Sequence, residues 1–220
     1  MPTVLNVNEL LPTLEAGGPM MLVMLLASVC IVAVALERWI NTLRARWTVR
    51  RLDDKVVESV RKGNLEEARR LCESIPSPIR EIFTMGLDRA LGRVRGNPRM
   101  AMQRGQKRAV AQLRAGLWML GSAGALMPCV GLLGTVLGVM GSFHDIGEAG
   151  SGGFAVVSAG ISEALIATAA GLFVALEAVI FFNILQNSVA GVSRSLALLV
   201  DELVELIETR ERENASSSVG

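Results

Sequence analysis

Three long apolar stretches dominate the chain: Gly17 to Leu36, Ala115 to Phe143, and Phe154 to about Val192. A helix needs about 20 predominantly apolar residues to cross a bilayer, so each stretch is long enough to span. None alternates polar and apolar residues, which argues for helices rather than membrane strands. The polar stretch between the first two carries helix punctuation. Gly63-Asn64-Leu65-Glu66-Glu67 reads as a helix start, with Asn64 placed to cap and Glu67 to reach back. Pro76 and Pro78 break the next junction, and Asn97-Pro98 repeats the start signal with proline at the first helical position. The helix from Pro98 is expected to run straight into the second span. Beyond the third span, Leu196, Leu199, Leu203 and Leu206 keep a helical period, with Asp201, Glu202, Glu205 and Glu208 on the wet side.

The expected fold is an all-α integral membrane protein with three transmembrane helices, the second and third extended into the cytoplasm as a helical bundle. The expected segments are an outer N-terminal piece (1–16, with an amphipathic look from Leu5, Leu10, Leu11 and Leu14), a first span (17–37), a polar helical region (38–114), a second span (115–143), a short turn (144–153), a third span (154–192) and a C-terminal helix and tail (193–220). Residues 211–220 are expected to be disordered.

Composition sharpens this picture. The chain has 220 residues, 51% of them hydrophobic, and a mean hydropathy of +0.44, too apolar for an ordinary soluble domain. A net charge of +1 hides a strong asymmetry: of 22 Lys and Arg, none lies in the first 37 residues or between Ala115 and Ser193. The positive-inside bias then puts the N-terminus and the 144–153 turn outside, and the 38–114 region and the tail in the cytoplasm. A cleaved signal peptide fits the first stretch poorly, because no basic segment precedes it and the apolar run is too long. Acidic residues interleave the basic ones between Glu37 and Asp88, which favours a solvated face near anionic lipid over a nucleic-acid patch. Cys30 and Cys129 fall within spans and Cys72 in the polar region, so no disulfide framework is expected.

The candidate chemistry is intramembrane. Glu163 and Glu177 lie inside the third apolar stretch, where a carboxyl group is a functional-site hypothesis by default. Counting about 1.5 Å per residue from the outer end, Glu163 falls about 12 Å deep, and Glu177 about 21 Å further on, near the inner interface. The fourteen-residue offset leaves both on nearly one helix face. Gly131, Gly134, Gly138 and Gly141 form one stripe of the second span. Gly160, Ala164, Ala167, Gly171, Ala175 and Ala178 form a small-residue stripe of the third. Such faces let helix backbones approach closely. Pro128 removes one hydrogen bond within the second span. Thr135 is placed to bond back to the Gly131 carbonyl, with a water-facing hydroxyl as the alternative; Thr168 poses the same choice. His144, Asp145 and Glu148 make only a weak metal signal, and a solvated turn or proton vestibule fits them better. No metal or cofactor is expected.

The run Gly131-Leu-Leu-Gly-Thr-Val-Leu-Gly-Val-Met with Ser142-Phe143, followed by Gly160-Ile-Ser-Glu-Ala-Leu-Ile-Ala-Thr-Ala-Ala-Gly-Leu, resembles the MotA/TolQ/ExbB proton-channel family. Leu36-Glu37-Arg38-Trp39 is family-like too. Three spans and this length resemble the ExbB/TolQ branch. The resemblance implies a bacterial inner-membrane protein, a homopentamer whose second and third helices line a pore. It also implies a small ExbD/TolR-type partner with one span and an intramembrane aspartate, and a TonB/TolA-like protein beyond it. By the same resemblance Thr135 and Thr168 correspond to pore-facing polar positions and Glu163 to the acidic position of the third span. Where ExbB-type relatives often carry proline, this chain reads Ala175-Leu176-Glu177-Ala178, which leaves the client machine open, gliding-motility stators included.

The leading function is therefore a proton channel and stator subunit that turns ion flow into mechanical work, with sodium left open as the ion. A passive oligomeric scaffold is the alternative from another class. Three spans without an internal repeat argue against a secondary transporter. With one histidine, no tyrosine and no cofactor motif, nothing marks the chain as an enzyme.

Overall fold

The structure is a computed structural model and describes residues 18–149 and 154–217. The segment expected at 1–16, residues 150–153 of the expected turn and residues 218–220 of the expected disordered tail lie outside that range. The described regular elements are all helices: α1 (Gly18–Arg61), α2 (Leu65–Glu73), α3 (Ile79–Ala90), α4 (Pro98–Arg114), α5 (Leu117–Ala149) and α6 (Phe154–Ser217). Three helical stretches, in α1, in α4–α5 and in α6, are long and apolar enough to cross a membrane. Two compact units emerge: Met1–Leu36 with Gly116–Ile184, and Glu37–Ala115 with Leu185–Gly220. The first holds the apolar stretches and the second most of the charge.

The charged unit has its own core. Val49, Leu52, Val56 and Val60 of α1 are buried, as are Leu196, Leu199, Leu203 and Ile207 of α6. Both series recur every three or four residues, the mark of one buried helix face. Ile82, Phe83 and Leu87 of α3 and Met102 and Ala109 of α4 are buried as well. α3 and α4 meet through glycines: a Cβ on Gly105 would lie 2.8 Å from Ile82 Cα, and Met102 fills the space over Gly86. Both predicted helix starts hold. Asn64 accepts a hydrogen bond from the Glu67 backbone N–H at 3.2 Å and donates to the Glu67 side chain. Asn97 caps α4 through the Met100 N–H at 3.2 Å, with Pro98 next. Arg93 pairs with Glu66, and Arg69 with Asp88, which ties α2 to the end of α3.

The helix ends depart from expectation at four places. The helix from Pro98 does not run straight into the second span. It stops at Arg114; Ala115 is extended (ψ 136) and Gly116 takes φ +80. That left-handed conformation is one glycine adopts without steric cost. α1 and α6 are each one continuous helix, whereas the stretch from Pro98 is interrupted at Ala115 and Gly116. α5 continues to Ala149, so His144 and Asp145 are helical rather than part of a turn. Polar residues alone do not end a helix that meets no proline. α6 continues to Ser217, so the disorder expected from residue 211 does not begin there. The Arg210 guanidinium fills the space over Gly63 at the end of α1 and anchors this last stretch.

Cys72 lies fully buried on α2, and burial pushes its thiol up from 9.0 to about 12. Since the thiolate is the reactive form, this leaves about a thousandfold less of it at a given pH. Native protein is expected to show almost no maleimide labelling at Cys72, and rapid labelling once denatured. Mass spectrometry of the digested adduct reads this out; fast native labelling would contradict the packing.

Candidate ion pathway in the apolar unit

α5 and α6 approach through the two predicted small-residue stripes. A Cβ on Gly171 would lie 2.9 Å from the Met127 carbonyl oxygen and 3.0 Å from Gly131 Cα. A Cβ on Gly131 would lie 3.1 Å from Thr168 Cα, and one on Gly138 2.9 Å from Ala164 Cβ. Gly134 meets Ala167 on α6 and Met20 on α1. Ser142 donates to the Gly138 carbonyl at 3.0 Å and fills the space over Gly160. Gly141 is the exception: nothing among the described residues of the neighbouring elements lies within 4 Å of a Cβ placed there. Pro128 sits inside α5 without ending it.

The threonines are wired differently from expectation. Thr135 donates to the Leu132 carbonyl at 2.7 Å, not to Gly131. The Gly131 carbonyl instead accepts from Thr168 across the helix pair, at 2.8 Å. The physical reason is the glycine contact. With no side chain at Gly131 the Thr168 backbone comes close enough for its hydroxyl to reach an oxygen that still has a lone pair. A helical threonine can use the carbonyl three or four residues back equally well.

The carboxyl groups face α1. Glu163 occupies the space over Gly18, where α1 begins with φ +59. Glu177 accepts a hydrogen bond from Ser28 at 2.8 Å. Gly18 and Ser28 are ten residues apart, about 15 Å along the helix. The apolar run of α1 continues to Leu36 before Glu37 and Arg38. Measured against α1, then, Glu163 lies at the start of the first span and Glu177 near its middle. Both glutamates thus lie nearer the outer end than the count from Phe154 puts them, in the same order. The apolar run of α6, from 154 to 193, is about 58 Å long, far more than the hydrocarbon thickness of about 30 Å. Counting from its end leaves the spanning window open; the contacts with the shorter apolar run of α1 give a second reference.

The structure thus joins Thr168 to Gly131, and both glutamates to α1, but does not bring Glu163 and Thr168 together. Ser28, which no sequence motif marks, joins them as the donor to Glu177. Its signal was a hydroxyl inside an apolar run, too common to single out alone. The Ser28–Glu177 bond is expected to contribute about 1 kcal/mol of coupling. A double-mutant cycle of Ser28→Ala and Glu177→Gln in detergent unfolding measures it, and strictly additive losses would show the pair to be uncoupled. Among the described residues no three ligating side chains converge on a metal position, and the Glu148 side chain lies outside them.

Similarity to known proteins covers the same elements. Residues 74–197, more than half of the chain, match the MotA/TolQ/ExbB proton channel family. The chain is 37% identical over 112 residues to a biopolymer transport protein ExbB of Xanthomonas campestris pv. campestris, covering 51% of this chain and 44% of the relative. It is 40% identical over 100 residues to the ExbB of Salmonella typhimurium, covering 45% and 41%. It is 44% identical over 79 residues to that of Pseudomonas putida, covering 36% and 24%. The matched stretch spans less than half the length of each of these relatives. Glycine stripes, Thr135, Thr168 and both glutamates all lie within the matched region, and the chain belongs to the MotA/TolQ/ExbB proton channel family, on its ExbB-like branch.

Proposed function

We propose that this protein is the pore-forming subunit of an ExbB-like proton channel that couples the proton-motive force to mechanical work on a partner membrane protein. The observation that carries the reading is the charge of the apolar unit. Residues 1–36 and 116–184 contain no Lys or Arg, yet they hold Glu163 and Glu177, both half-buried and in contact with α1. Carboxyl groups without basic partners in an apolar setting suit a path for cations. The spans also leave much apolar surface uncovered, including Leu137, Met140, Leu172 and Phe173. Lipid or neighbouring subunits must cover it.

In this proposal five copies form a ring in the inner membrane, with the N-terminus periplasmic and the C-terminus cytoplasmic. α5 and α6 line its pore. Inside stands a short ExbD/TolR-type protein whose intramembrane aspartate takes up and releases the proton. Glu163, at the outer end of the first span, feeds that aspartate, and Thr135 and Thr168 supply polar positions along the path. A TonB/TolA-like protein receives the work.

Co-purification tests the assembly. The chain, expressed with a neighbouring reading frame that encodes a single-span protein bearing an aspartate, is expected to yield one complex with several copies of this chain. Recovery of the chain alone would count against a channel and for a scaffold that oligomerises through its small faces.

A further inference from the structure

The charged unit holds a second site that the proton path does not use. A cavity of about 320 Å³ is bordered by Arg38, Asn41, Arg44, Ser77, Pro78 and Gln112. The Nε of Arg38 is buried without a hydrogen-bond partner. Its Nη2 lies 3.5 Å from Glu37, a loose contact to a side chain that is 59% exposed. Two guanidinium groups therefore border the cavity against one solvated carboxylate, and one of them has a donor unsatisfied. That is the chemistry of an anion site, since arginine matches phosphate oxygens with several donors at once.

Its place on α1 identifies the anion. Arg38 comes two residues after Leu36, where the apolar run ends, about 3 Å further along the helix. Arg44 lies about 12 Å beyond Leu36, within reach of the headgroup layer through its long side chain. The cavity adjoins a groove that shares Arg44, Thr48 and Pro76 with it and adds Ile40, Leu43 and Trp47. Those three side chains, and Trp39, are exposed although apolar. Tryptophan on such a face marks the membrane interface. A free inorganic phosphate would use the arginines and leave the apolar wall bare, whereas a phospholipid uses both.

We propose that this cavity binds the headgroup of an anionic phospholipid from the leaflet at this end of the span. The phosphate sits between Arg38 and Arg44, and an acyl chain lies along Ile40 and Leu43. A zwitterionic lipid carries the same phosphate, but its own ammonium competes with the guanidinium groups.

Native mass spectrometry of the full chain, titrated with phosphatidylglycerol, phosphatidylcholine or inorganic phosphate in detergent, tests this. Phosphatidylglycerol is expected to bind and to raise the thermal midpoint, the other two to do neither. Arg38→Gln and Arg44→Gln are each expected to weaken binding about tenfold. Arg104→Gln, on the exposed face of α4, is expected to change nothing. Should Arg38→Gln fail to fold, Arg44→Gln decides alone, because the Arg44 side chain is exposed and packs little. Equal binding of the two lipids, binding of inorganic phosphate as tight as that of phosphatidylglycerol, or unchanged binding in Arg44→Gln would each overturn the proposal.

Discussion

Glu163→Gln is expected to abolish energy transduction, by on the order of a hundredfold or more, while the protein still folds and assembles. Glutamine keeps the size and an acceptor oxygen of glutamate, so it can fill the same space over Gly18. What it cannot do is take up and release a proton. The comparison is sharper than one at Thr168. That hydroxyl holds the Gly131 carbonyl, so Thr168→Ala would lose an interhelical bond of about 1 kcal/mol as well as any polar role. In a strain deleted for the gene, the wild-type copy should restore the client process and the Glu163→Gln copy should not, at equal membrane levels and equal recovery of partner. Full restoration would leave the acid without a part in the proton path.

Gly171→Val is expected to unfold the apolar unit or to prevent its expression. The space over Gly171 is closed by the Met127 carbonyl oxygen and Gly131 Cα. Those are backbone atoms, so no side chain can swing aside to make room. Overpacking a well-filled site costs typically about 1–3 kcal/mol, which applies to alanine here, and valine adds two further methyl groups. The same displacement would pull Thr168 from Gly131 and move both glutamates along α1. Gly141 supplies the contrast, with open space around it among the described residues. Gly141→Ala should leave the folding of a single chain unchanged. A loss confined to the assembled ring would place a neighbouring subunit against that position. Detergent unfolding followed by circular dichroism, with size-exclusion chromatography of the complex, separates the two effects. Near-native stability of Gly171→Val would show that α5 and α6 do not meet at this glycine.

Much of the fold was legible because its signals are local or long. Runs of apolar residues mark the spans regardless of their neighbours, and Asn64, Asn97 and Pro98 cap and start helices through bonds made within a few residues. The small-residue stripes likewise announced the α5–α6 contact. What escaped depends on tertiary choice. Gly116 could sit in a helix or break one, and only the structure shows its positive φ. Thr135 had two carbonyls within reach, and the presence of Thr168 on the other helix went with the one further back. The depth of the glutamates could not be read from α6 alone, because its apolar run exceeds a membrane's thickness; the Gly18 and Ser28 contacts of α1 supply the missing reference. That reference also changes the standing of Glu177. Placed near the interface by counting, it faces the middle of the first span and holds Ser28, so it joins α1 to α6 within one chain.

The most direct test of a proton path through Glu163 is ion flux through the purified complex. The chain and its aspartate-bearing partner, reconstituted in liposomes in sodium-free buffer, are placed under a membrane potential while a trapped dye reports internal pH. Wild-type liposomes are expected to acidify, and those with Glu163→Gln to match protein-free vesicles. Equal acidification by the two proteins, or none by the wild type, would contradict the account.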